Sequence, residues 1–186
     1  MFFRLGSKTG DYYDLNVDFP EDLPQQIPEV TMVYWDYYHH DEARYQQLFR
    51  DHQQLQRPVI FAGGIWTWNG LAPNYGKTIA TSRAGLSAAK KANIQTIYAT
   101  LWGDDGGETP LIASLLGLQL FAEYQFHPDP TMTEIAAAFR RFHQLAAEDF
   151  LLLSQFDQTP GVPMDNPRSE ERRAGNEGRS RWPPYQ

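Results

Sequence analysis

The chain has no cysteine, so neither a disulfide frame nor a thiolate metal site holds it together, and a reducing compartment is permitted. Nowhere does an apolar stretch approach the roughly 20 residues of a membrane-spanning helix. The opening, MFFRLGSKTGDYYD, has too short an apolar part for a signal peptide; nothing in it directs export, and a cytoplasmic location is expected. The formal charge of -7 comes without a Lys/Arg-rich stripe ahead of the C-terminal tail, which disfavours nucleic acid and anionic membrane as partners and favours a neutral ligand. Glycine-rich pieces match neither the phosphate-binding loop nor the dinucleotide fingerprint, and no serine sits in a nucleophile elbow. No cofactor is expected.

What the chain does have is apolar and aromatic residues, 41% and 14% of its 186 residues, enough for one real core. Three apolar, β-branched runs end in tryptophan: Val33-Tyr34-Trp35-Asp36, Ile65-Trp66-Thr67-Trp68-Asn69 and Leu101-Trp102-Gly103-Asp104. From Trp35 to Trp68 to Trp102 the spacings are 33 and 34 residues, the length of one strand-plus-helix unit in a (β/α) barrel. A period near 34 is also that of helical repeat arrays, but runs rich in Val, Ile, Thr and Tyr with Pro or Gly beside them are strand signals.

Between these runs lie helical patterns. Strands are expected over 30–35, 59–62 and 96–101. Helices are expected over 41–56, about 81–92 with Asn93 as a stop, 111–124 after Pro110, and 131 to about 153 with a Thr131-x-x-Glu134 capping pattern. Strands alternating with helices argue for parallel strands joined by crossovers. The fold class expected is therefore α/β, part of a TIM (β/α)8 barrel, about strands 6 to 8 with their helices, over residues 1–155. Residues 1–5 read as the tail of a strand cut mid-element. Such a part of a barrel exposes strand edges and one sheet face, which argues against stability alone.

In barrel enzymes substrate sits at the carboxyl ends of the strands, where each unit here presents an indole. Indoles converging with amides and carboxylates describe a pocket for a sugar ring, whose C–H faces pack on the aromatic plane while its hydroxyls need acceptors. In Trp102-Gly103-Asp104 the glycine allows a sharp turn, so the indole lies under a ring and the carboxylate reaches hydroxyls at its rim. The plainer alternative is a core tryptophan followed by a helix-capping Asp. Alternation sends Trp66 and Trp68 to one face as a wall, with Asn69 beyond them; either indole packing under a loop is the alternative. Trp35 with Asp36, Tyr37 and Tyr38 offers another wall and a phenol donor, or ordinary aromatic packing. His39-His40-Asp41-Glu42 invites an acid/base or metal assignment, yet it stands where a helix begins and reads as capping. Without a second histidine cluster no metal shell is complete, so no metal is expected.

At VYWDYY, FAGGIWTWNG and YATLWGDDGGE the chain resembles family 20 glycoside hydrolases, the β-N-acetylhexosaminidases, over roughly residues 1–155. The resemblance implies a (β/α)8 barrel in which Trp35, Trp66 or Trp68, and Trp102 belong to the acetamide and sugar-stacking pocket. It places Asp104 where the family has an acidic residue, more often Glu, for the outer hydroxyls of the terminal sugar. It further implies a substrate-assisted retaining mechanism: the 2-acetamido carbonyl attacks the anomeric carbon, a Glu protonates the leaving oxygen, and the Asp before it orients the acetamide. That Asp-Glu pair follows the fourth strand, whereas this chain begins at the end of the fifth; no catalytic residue is expected here, and Asp41-Glu42 is not that pair. The partner implied is a terminal β-linked N-acetylhexosamine, GlcNAc or GalNAc. Where many members carry Trp-Tyr-x-Asp this chain has Trp66-Thr67-Trp68-Asn69, so the family's acetamide-binding tyrosine has no counterpart there and stays unassigned, with Tyr37 as the candidate for it.

From Arg168, RSEERRAGNEGRSRW resembles a translated sequencing adaptor, so residues 168–186 read as foreign, both ends as the result of an incomplete read, and 156–186 as a disordered tail. Two other function classes stay open. One is a carbohydrate-binding protein without catalysis, disfavoured because such modules are usually antiparallel sandwiches. The other is a barrel hydrolase of a different family using Asp104, Asp105 or Glu108 as its acid.

Overall fold

Short β-branched runs become strands, and the longer periodic stretches between them become helices. The computed structural model describes residues 2–3, 23–26, 28–68, 70–103 and 108–156. The tail from 157 onward, Asn69 and residues 104–107 lie outside the described residues.

The chain is α/β. Strands β1 (Phe2–Phe3), β2 (Thr31–Trp35), β3 (Val59–Gly64) and β4 (Thr96–Thr100) form one sheet in chain order, each neighbour parallel. Helix α1 (Leu23–Gln26) precedes β2, while α2 (Glu42–Gln54) and α3 (Tyr75–Lys91) supply the two crossovers between β2 and β4. After β4 come a 3-10 turn (Leu111–Ser114), α4 (Leu115–Phe126), α5 (Met132–His143), α6 (Ala147–Leu152) and a last 3-10 turn (Leu153–Phe156).

Period-2 alternation divides the sheet residues between two faces. Tyr34 and Phe61 point toward α2 and α3, where they join Tyr45, Leu48, Phe49 and Leu86 in the main core, with Ile97 and Ala99 packed against it. Phe49 meets Tyr34 and Phe61 edge-on at 5.2 Å each, geometry that adds to the area the rings bury. Helix α3 contributes mainly small residues to this layer, among them Ala84, Gly85, Ala88 and Ala89. That slimness is required: a Cβ on Gly85 would stand 2.8 Å from Phe61 Cζ. On the opposite face Val33, Ile60 and Ala62 form a smaller buried cluster with Trp35 packed against it. The open face expected of a partial barrel is thus shut over its centre, while Tyr98 on edge strand β4 is 43% exposed.

Helix ends follow local chemistry. Asp41 Oδ1 accepts from Ala43 N at 3.0 Å and caps α2. Asn93 stops α3 in the left-handed region at φ 58°, as expected, with Ile94 N returning to Ala89 O. Helix α3 begins at Tyr75, six residues before the expected start, because Asn74 Oδ1 accepts from Lys77 N while Tyr75 and Thr78 are buried. Those gains outweigh the weak helix propensity of Gly76. The expected helix over 131–153 is two helices. Its start carries the expected capping box, but Gln144 turns left-handed at φ 57° and α6 folds back so that Phe150 meets Phe139 at 4.9 Å. On one continuous helix those rings, eleven positions apart, would be separated by about 16 Å.

Candidate functional site: an aromatic rim at the strand ends

The segments leaving β2, β3 and β4 are stitched to one another. Beyond β3, Ile65 N donates to Thr100 O at 2.9 Å, Trp66 N donates to Thr78 Oγ1 at 2.9 Å, and Asn74 N returns to Trp66 O at 2.8 Å. Thr67 Oγ1 donates to Trp102 O at 3.0 Å, tying the loop after β3 to the segment after β4. Trp66 Nε1 donates to Tyr37 O at 2.9 Å, tying it to the loop after β2.

These ties gather Tyr37, Trp66 and Trp68 into one buried cluster with Trp102 packed against it. Trp66 and Trp68 lie 4.4 Å apart with planes tilted by 31°, on one side of the chain as alternation requires. Tyr37 approaches them nearly edge-on at 6.1 and 4.9 Å. Trp35 joins from the face of β2 turned away from α2 and α3, its ring 6.1 Å from Trp102 and perpendicular to it. The four tryptophans and Tyr37 singled out in the sequence are therefore brought together, with Tyr38 beside them, 5.1 Å from Trp66. Asn69 and Asp104, the polar members of that set, lie outside the described residues, as does Asp105; Glu108 is described and exposed.

Burial divides the aromatic set. Trp66 is 0% exposed, with Trp68 on it and Lys77 Nζ 3.7 Å from its ring centroid, so both ring faces are covered. Tyr37 and Trp68 are nearly as deep. Trp35 and Trp102 are only partly buried and hold the accessible aromatic surface of the group. The Trp102 Nε1 atom is itself buried and has no hydrogen-bond partner among the described residues, a donor that is costly to leave unpaired.

Beneath the rim stands a carboxylate whose part sequence reading did not isolate. Asp36 is fully buried and accepts from Tyr34 Oη at 2.5 Å, His39 Nδ1 at 2.7 Å, Tyr38 N at 3.0 Å and Tyr45 Oη at 3.4 Å. Burial raises both phenol pKa values well above the ordinary tyrosine range, and the neighbouring carboxylate pushes the same way. The sequence signal was available: an Asp just past a strand end, with Tyr two before it and His three after it.

The neighbouring His-His-Asp-Glu run separates into different roles. Asp41 caps α2. Glu42 receives Lys91 Nζ at 2.5 Å, Gln46 Nε2 at 2.6 Å and Ser87 Oγ at 3.0 Å, binding α2 to α3; the Lys91 ammonium leads in holding its carboxyl below the usual range. Among the described residues no three or more His, Asp and Glu side chains are grouped to hold a metal ion, and no helix is long and apolar enough to cross a membrane. Compared with known proteins, the chain matches no family model and no curated sequence.

Proposed function

We propose that this unit is the later part of a (β/α)8 glycoside hydrolase barrel of the β-N-acetylhexosaminidase kind, supplying the aromatic side of a pocket for a terminal GlcNAc or GalNAc. The observation that carries the proposal is the gathering of Trp35, Trp66, Trp68, Trp102 and Tyr37 at the carboxyl ends of three consecutive parallel strands. Three features support the barrel. Strand order follows chain order, every pair is parallel, and the crossover helices share one core on one face. A doubly wound sheet covers both faces with helices and reverses its strand order.

The chemistry of the rim also favours a sugar. Perpendicular indoles at Trp35 and Trp102, both only partly buried, offer surface for the C–H face of a ring. Trp66 and Trp68 act as the support behind that surface. The family mechanism needs an Asp-Glu pair after an earlier strand, and the part proposed for this unit is to bind the sugar rather than to supply the proton donor.

Titrating the chain with GlcNAc and with glucose, while following indole N–H resonances, tests the reading. GlcNAc is expected to move the Trp102 resonance, and glucose to move it less. No shift with any N-acetylhexosamine up to tens of millimolar would remove the sugar assignment. Hydrolysis of a chromogenic β-GlcNAc well above background would refute the division of labour.

A further inference from the structure

Asp36 is the part of this molecule whose cost is hardest to explain by folding alone. A carboxylate taken fully out of water is penalised unless its oxygens are well supplied with donors. Here four donors come from three places: Tyr34 from β2 itself, Tyr38 N and His39 from the loop just past β2, and Tyr45 from the first turns of α2. An apolar residue in its place would leave the buried Tyr34 and Tyr45 hydroxyls and the Tyr38 N–H without this acceptor. What the carboxylate does that an apolar residue does not is fix the path of residues 36–39.

That path sets the rim. Tyr37 lies between Asp36 and Tyr38, whose N–H Asp36 accepts, and the Tyr37 carbonyl receives the Trp66 indole N–H. The Tyr38 ring stands 5.1 Å from Trp66, perpendicular to it, with Lys77 Nζ near both rings. We propose that Asp36 is a positioning residue: its carboxylate pins the loop after β2 so that Tyr37 and Tyr38 hold Trp66, and through Trp66 the wall against which a ligand at Trp35 and Trp102 packs. The role in ligand binding rests on the carbohydrate reading given above; the role in holding Trp66 does not.

The experiment uses the full chain labelled with nitrogen-15, with the five indole N–H resonances assigned by Trp→Phe variants and hydrogen exchange of each followed. Asp36→Asn keeps the shape but replaces one acceptor oxygen by a donor group, so it leaves Tyr38 N or His39 unmatched. The Trp66 indole proton is expected to exchange at least tenfold faster in this variant, and GlcNAc binding to weaken at least fivefold. His39→Ala removes one partly exposed donor and leaves the core intact; exchange at Trp66 is expected to quicken about three- to fivefold. Phe139→Leu, which loosens the core away from the rim, controls for lost stability and is expected to leave Trp66 the best protected of the five indoles. If Asp36→Asn does not fold, His39→Ala decides. Exchange at Trp66 within twofold of the parent chain in the variants that fold overturns the proposal. A parent chain that ignores GlcNAc while the exchange results stand as expected overturns only the carbohydrate reading.

Discussion

Gly64 is the position at which the packing of the rim is most directly testable. It ends β3 directly beneath the aromatic cluster, and a Cβ built there would lie 2.8 Å from Trp68 Cη2, 2.8 Å from Tyr37 Cγ and 2.9 Å from Tyr37 Cβ. Ordinary contact begins at 3.4 Å, so both rings must retreat by about half an ångström. Neither has open space behind it, because Trp68 rests on Trp66 and Tyr37 holds the Trp66 N–H. Overpacking of this kind costs about 1–3 kcal/mol. The offsetting loss of unfolded-state freedom on replacing Gly by Ala amounts to roughly 0.4–1 kcal/mol. The net expectation for Gly64→Ala is a loss of about 1–2 kcal/mol, or a fall in Tm of about 2–8 °C for a domain of this size. Urea melts by far-UV circular dichroism give the stability, and near-UV ellipticity at the tryptophan bands reports the displaced rings. A Gly64→Ala chain as stable as the parent with an unchanged near-UV spectrum would refute the packing argument.

The two classes of tryptophan should separate in the same assays. Trp66→Ala, at a fully buried site, is expected to cost about 3–5 kcal/mol. Trp102→Ala is expected to cost clearly less while abolishing the GlcNAc-induced spectral change, and the opposite ranking in urea melts would reverse their assigned roles. His52 supplies a pH test. It is buried against Tyr34 at 4.4 Å with Nδ1–H donating to Leu48 O at 2.7 Å, and burial lowers its pKa below the ordinary histidine value. The unfolded chain therefore binds this proton first, so the stability His52 contributes is full above about pH 6.5 and is lost as pH falls toward the folded value. His52→Leu is expected to show a shallower loss of Tm between pH 7 and 5 than the parent; parallel profiles would show that His52 stays uncharged in both states or charges in both.

Local chemistry made much of the fold readable. The strands expected over 30–35, 59–62 and 96–101 form within two residues of those bounds, because β-branched clusters bounded by Pro, Gly and Asn have few other uses. Caps at Asp41, Asn93 and Thr131 were likewise legible, since each depends on a side chain and its own neighbouring backbone. The misses depend on distant partners. Nothing local announces that Tyr75 and Thr78 will be buried, or that Phe150 must come back to Phe139 and so force a left-handed turn at Gln144, a residue with no special liking for it.

The aromatic rim shows the same division in a sharper form. Spacing along the chain carries each indole to the same end of the sheet, since one unit of strand and helix returns the chain to an equivalent place. It does not say which indole faces a ligand. That is decided by groups with no periodic signal: Thr67, Thr78 and the Tyr37 carbonyl tie down Trp66 and its neighbours, and Lys77, in the first turn of α3, stands over the Trp66 ring. Once Trp66 is fixed, Trp68 stacks on it by proximity in the chain, leaving Trp35 and Trp102 as the partly exposed pair. Asp36 was easily passed over for a related reason. Beside a tryptophan at a strand end it reads as one more polar group for a pocket, whereas alternation turns it to the opposite side from Trp35, toward Tyr45 on α2, where the Tyr34 and Tyr45 hydroxyls supply its oxygens in place of water.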